Sequence, residues 1–132
     1  MFDTVANQYA GTVSVVNGRN PKTLHLHQVE AIKALNGKIL NQEFYEGLLV
    51  LPTGGGKTHT AVQWVLRNII DNGQKVLWIA HRHELLNQAL HAVKNSCYSD
   101  VMQNRKAFNY RVISGMHDRP IHLKADDDFV IA

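Results

Sequence analysis

A chain of 132 residues with 45% hydrophobic and 19% charged side chains is long enough for one folded domain and too apolar for intrinsic disorder. No apolar run approaches membrane-spanning length, and MFDTVANQYAGTV has no basic segment leading into an apolar one, so neither a span nor a secretory leader is expected. The single cysteine, Cys97, cannot form an internal disulfide, and the combination implies a reducing, cytoplasmic setting.

Charge is modest but uneven. Residues 51–110 carry seven basic and three acidic side chains, whereas the flanking parts are balanced or slightly acidic. A basic middle is compatible with a polyanion partner and equally with an ordinary solvated surface.

In chain order, Thr12 to Val16 reads as a short strand, with Asn17-Gly18 as a turn and Pro21 opposing a long return strand. From Gln28, the spacing of Val29, Ile32 and Leu35 predicts a helix that Asn36-Gly37 weakens or ends. Leu48 to Leu51 is an apolar run of buried-strand type, followed at once by PTGGGKT. A second helix is predicted from Lys57 to Ile70, with Ala61, Val62, Val65, Leu66, Ile69 and Ile70 on its apolar face and Asn72-Gly73 as its stop. Val76 to Ala80 reads as a buried strand. The stretch from His81 to Ser96 reads as a helix with Leu85, Leu86, Ala89, Leu90 and Val93 inward. Tyr110 to Ser114 and Phe129 to Ile131 are two further β-type runs. Strands alternating with helices predict an α/β fold with a mostly parallel sheet flanked by helices, which places ligands at the carboxyl ends of the strands.

PTGGGKT is the segment that carries chemistry. Consecutive glycines let backbone N–H groups approach an anion, and the loop opens a helix whose free N–H groups and dipole favour phosphate. Thr53, Gly54, Gly55 and Gly56 would form the cradle. Lys57 would reach the β- and γ-phosphates of ATP, and the Thr58 hydroxyl would complete the shell of a bridging Mg²⁺. The pattern G-x-x-x-x-G-K-[ST] is broken at its first position, occupied here by Leu51. The bland alternative, a glycine-rich capping loop, does not explain Gly-Lys-Thr between a strand and a helix.

LPTGGGKT resembles motif I of superfamily-2 helicases and translocases, in which the first loop glycine is commonly replaced. LHLHQ followed by VEAI, from Leu24 to Ile32, resembles the stretch upstream of that motif. WIAHRHELLNQA, from Trp78 to Ala89, resembles motif Ia, and ADDDFVIA, from Ala125 to Ala132, resembles the strand that leads into motif Ib. As a set these are closest to type III restriction and related DEAD/DEAH-type ATPases.

The resemblance implies a P-loop, RecA-like domain over 24–132, with 1–23 as an N-terminal extension. It implies that Gln28 contacts adenine, for which a carboxamide is suited by its paired donor and acceptor. His25 and His27 stand where that family often has Arg and an aromatic residue. It also implies that Arg82 and His83, at the start of the motif Ia helix, hold the phosphate backbone of a nucleic-acid strand, DNA by the restriction analogy, without reading its sequence.

Eight histidines are present without a cysteine pair or HExxH spacing, so no zinc site is expected. Cys97 is expected to be inert or a surface thiol, and Trp64 and Trp78 to be packing residues. Asp126-Asp127-Asp128 precedes its apolar strand, the reverse of a magnesium-holding acid motif. In the resembling family that acid and a second RecA-like domain follow later in the chain. The sequence is therefore expected to be an incomplete first helicase domain that binds ATP and Mg²⁺ without turning ATP over, in need of the rest of the helicase core. Two alternatives stay open: a stand-alone, non-hydrolysing nucleotide- or nucleic-acid-binding module, and another small P-loop NTPase or kinase.

The strand order is expected to place Phe129–Ile131 between Val76–Ala80 and Tyr110–Ser114, all parallel. Leu48–Leu51 would then lack neighbours and recruit strands from another copy or from residues 1–22.

Overall fold

Asp126-Asp127-Asp128, polar and charged, gives way to Phe129-Val130-Ile131, and the chain there enters the centre of a four-stranded sheet. The computed structural model describes residues 10–21, 24–39, 43, 47, 56–114 and 123–132. Its strands are β1 (Ala10–Ser14), β2 (Val76–Trp78), β3 (Ala107–Val112) and β4 (Phe129–Ile131). Its helices are α1 (Leu26–Ile39), α2 (Lys57–Asn68) and α3 (His83–Asn95), with one 3-10 turn at Ile70–Asn72. No helix among the described residues is long and apolar enough to cross a membrane.

The order across the sheet is β1-β3-β4-β2. β4 pairs in parallel with β2 (Val76 opposite Phe129) and with β3 (Tyr110 opposite Phe129), the order and direction expected, although β3 begins three residues before the expected Tyr110 and β2 ends at Trp78 rather than Ala80. The β2–β4 ladder continues past both strands, with the Ala80 N–H donating to Ala132 O at 2.8 Å. β1 lies antiparallel on β3, with Thr12 opposite Asn109. The strand expected at Thr12–Val16 thus sits two residues earlier, and Val16 forms only an isolated bridge to Tyr98. The expected strand Leu48–Leu51, and with it the expectation that an unpaired strand drives self-association, lies outside the described residues.

One face of the sheet buries Phe108, Tyr110, Val112, Phe129 and Ile131 against Val62, Leu66 and Ile70 and against Leu86, Ala89, Leu90 and Val93. Period-two alternation in the strands and 3.6-residue periodicity in the helices bring these side chains together. Leu85, expected inward, is only half-buried. On the opposite face Leu77 and Ile79 are 63% and 75% exposed, while Arg111 is buried under residues 124–127.

Two helix limits differ from expectation. α1 runs on through Asn36-Gly37 to Ile39, because the Asn36 side chain accepts a hydrogen bond from the buried Trp64 indole at 2.7 Å and so packs α1 onto α2. α2 ends at Asn68 and tightens into the 3-10 turn, which Gly73 closes at φ 82°, the left-handed stop expected of Asn72-Gly73.

Candidate phosphate site at the carboxyl end of the sheet

α2 descends alongside the sheet and returns through the 3-10 turn into β2. β2 climbs, and α3 starts five residues after it ends. Both helices therefore begin at the carboxyl end of the parallel strands, where α/β sheets bind ligands.

α2 begins on Gly56, which takes φ 71° and ψ 44°, a left-handed conformation suited to glycine. Its carbonyl accepts three hydrogen bonds: from the Thr60 N–H at 2.9 Å, from Thr60 Oγ1 at 2.8 Å and from Gln28 Nε2 at 3.3 Å. No side chain caps the helix and no acid lies in its first turn. Helix geometry leaves the Lys57 and Thr58 N–H groups without an intrahelical acceptor. Lys57 is exposed, and Thr58 is half-buried beside it. Among the described residues no ion pair involves Lys57. An ammonium, a hydroxyl and outward N–H groups with no competing internal anion suit a nucleotide phosphate and its magnesium ion. Thr53, Gly54 and Gly55 lie outside the described residues.

Gln28 is 3% exposed and bridges α1 to this loop. Its Oε1 accepts the His25 N–H at 2.8 Å, half of a capping box at the start of α1, while its Nε2 reaches Gly56. His25 and His27 stack with ring centroids 5.7 Å apart and planes within 8°.

Arg82 is the N-cap of α3, extended at φ −132° and ψ 145°, exposed and without a side-chain cap bond. His83 is the first residue of α3. Glu84 adds a negative charge to this helix start that α2 lacks.

The amino end of the sheet is chemically different. Asp71 accepts the N–H groups of Gln103, Asn104 and Arg105 and the Asn104 amide. Asp127 pairs with Arg111 at 2.8 Å, and Asp128 pairs with Arg105 at 3.0 Å while accepting the Asn109 N–H. Burial pushes the Asp128 carboxyl up, but the Arg105 hydrogen bond, the Asn109 N–H and the charges of Arg105 and Lys75 outweigh it and hold it below the ordinary range. Asp127 and Asp128 are thus internal scaffolding, while Asp126 is exposed. Cys97 is buried, and desolvation pushes its thiol up to about 11, so the surface-thiol alternative falls away. Trp64 is buried and Trp78 tilts against Phe129, both in packing positions. Among the described residues no group of three or more histidine, cysteine or acidic side chains is placed to hold a metal.

With this geometry in view, a family model described as type III restriction enzyme, res subunit, matches residues 21–131. The chain belongs to that family. Its members are helicase-type ATPases, and the match covers α1, the loop end at Gly56, α2, α3 and the three parallel strands. Searches of curated proteins and of solved structures returned no match.

Within this res-subunit domain the structure brings together Gln28, Gly56, Lys57 and Thr58, and sets Arg82 at the neighbouring helix start. Sequence reasoning missed Thr60, whose hydroxyl secures Gly56, and the Asn36–Trp64 bond. A threonine four residues after a helix-opening glycine is the signal that points to the first, since its hydroxyl folds back on the i−4 carbonyl. The second joins residues 28 apart and leaves no local trace.

Proposed function

We propose that this domain binds ATP with Mg²⁺ as the nucleotide-binding part of a nucleic-acid-dependent ATPase of restriction or repair type, with a P-loop, RecA-like architecture. One observation carries this reading. α2 opens on a left-handed glycine, with no capping side chain and no acid in its first turn, and presents an exposed lysine followed by threonine. A Ser, Thr, Asp or Asn at that place would bond the free N–H groups with its own side chain, whereas glycine leaves them open to a ligand.

In this reading the N–H groups at the start of α2 and the Lys57 ammonium bind the β- and γ-phosphates, and Thr58 Oγ1 is the magnesium ligand from the chain. The bound ion would neutralise charge on the phosphates. Gln28 supports Gly56 and also contacts adenine, for which Oε1 keeps one lone pair and Nε2 one N–H. Arg82 and His83 hold nucleic-acid phosphates at the start of α3, with Glu84 keeping that contact weaker than the one at α2. In this reading these residues bind nucleotide; among the described residues no acid lies in the first turn of α2, and turnover belongs with the rest of a helicase core.

The test is a titration of the full chain with ATP and Mg²⁺ by calorimetry. Binding that Lys57→Ala removes supports the reading. Absence of binding to the unaltered chain, or equal binding by Lys57→Ala, overturns it. Nucleic-acid affinity should fall with salt and with Arg82→Ala, without a change in base preference. Steady nucleic-acid-stimulated hydrolysis by these 132 residues would favour a self-sufficient NTPase.

A further inference from the structure

Gln28 and Asn36 of α1 each hydrogen-bond to the α2 segment, and the two bonds share one offset. Gln28 Nε2 donates to Gly56 O, and Trp64 Nε1 donates to Asn36 Oδ1, each across 28 positions of sequence. The two helices are thus pinned at points about 12 Å apart along each axis, running side by side in the same direction. The first pin bears directly on the phosphate loop. The second lies far from it, among buried side chains: Trp64 is 6% exposed, and its N–H has to find an acceptor there.

We propose that Asn36 is a positioning residue for Gly56, the residue on which α2 opens, acting through Gln28. The Asn36–Trp64 bond fixes the rotation and slide of α1 along α2. Only one such setting brings the Gln28 carboxamide to Gly56 while its Oε1 still accepts the His25 N–H. Gly56 in turn sets the direction of the N–H groups that open α2. Asn36-Gly37 would otherwise weaken a helix, and the pair stands in the last turn of α1, where the asparagine side chain reaches the neighbouring helix.

Two measurements on the full chain test this, and only the second rests on the nucleotide-binding reading. In the first, amide exchange of Thr60, whose N–H bonds Gly56 O, is followed by NMR without nucleotide. Asn36→Ala should speed it about fivefold, as expected for losing one hydrogen bond, and Asn36→Asp, which keeps the acceptor, should restore it. Trp64→Phe, which removes the donor and keeps a ring, should match Asn36→Ala. In the second, the Kd for ATP with Mg²⁺ should rise about fivefold in Asn36→Ala and not in Asn36→Asp. Both effects should vanish in a Gln28→Ala background. Unchanged Thr60 exchange in Asn36→Ala and Trp64→Phe overturns the proposal, as does an effect of equal size without Gln28. Altered exchange in a chain that binds no ATP upholds the positioning role and sinks the nucleotide reading alone.

Discussion

The two ends of the parallel strands hold charge in opposite ways. At the amino end Asp71, Asp127 and Asp128 are each saturated by arginine side chains, backbone N–H groups or both. At the carboxyl end Lys57 and Arg82 stand exposed at helix starts, with no ion pair among the described residues. Charge that is satisfied internally holds the fold together, and charge left for solvent is available to a ligand. Buried carboxylates without partners would be too costly to keep, whereas an exposed lysine at a helix start costs little. The ends should therefore separate cleanly when mutated: stability at one, binding at the other.

Arg111→Ala gives the largest stability effect. It takes the charged partner from the Asp127 carboxylate, 5% exposed at its side chain and still bonded to the Lys124 N–H, and should cost about 3 kcal/mol in urea unfolding while leaving the Kd for ATP unchanged in the folded chain. Lys57→Ala should do the reverse, with loss of ATP binding and a stability change within about 0.5 kcal/mol. A Lys57→Ala chain that unfolds as readily as Arg111→Ala would erase the contrast.

Gly56→Ala tests a place at the carboxyl end where the backbone takes the left-handed conformation that favours glycine. The left-handed φ of 71° disfavours a side chain, and a Cβ there would run into the Gln28 amide. The conformational part alone is about 1–2 kcal/mol. Removing the obstruction with Gln28→Ala should recover the steric part and leave the conformational part. A double-mutant cycle in thermal unfolding separates the two, and full additivity would mean that Gln28 does not press on Gly56.

The Asp128 network predicts an acid limit set at the amino end. A carboxyl held below its ordinary 3.8 contributes stability that is complete above that value and is lost as pH falls through the lower folded-state value. Unfolding free energy measured downward from pH 5 should drop in that window, and Arg105→Gln should flatten the drop. An unchanged slope in Arg105→Gln would assign acid sensitivity to other carboxylates.

How far this division could be read from the sequence follows from the range of the interactions. Phe129–Ile131, the stop at Gly73 and the lysine-threonine start of α2 are local signals, and the structure carries them with little shift. The pairing of β4 between β2 and β3 is the order expected, since the three runs are of β type and separated by connections long enough for parallel crossovers. β1 was misplaced by two residues because its register is set by β3, with Thr12 bonded to Asn109 across 97 positions. The roles of Asp71, Asp127 and Asp128 were equally hidden: an acid run reads the same whether it faces solvent or an arginine. At the candidate site the glycine-lysine-threonine start of α2 is a local motif, whereas the support of Gly56 by Gln28, and of α1 by Asn36, depends on how α1 lies against α2.

The smallest effect expected is a thiol that fails to react. Cys97 follows the end of α3, and its carbonyl accepts the Val16 N–H at 2.9 Å, which ties the amino-terminal strand segment over this side of the sheet. It is buried, and its Sγ lies 3.9 Å from Met102 Sδ. Burial alone pushes its pKa up to about 11, so at pH 8 both exposure and thiolate fraction are far below those of a free cysteine. Ellman's reagent should label the native chain only as fast as it opens locally, and label it at once in urea. The comparison sharpens further if a cysteine is placed at the other end: Arg82→Cys, exposed at the start of α3, should react quickly in the folded chain. Rapid native labelling of Cys97 would show that the amino end opens readily, and would remove the basis for treating it as the rigid half of the molecule.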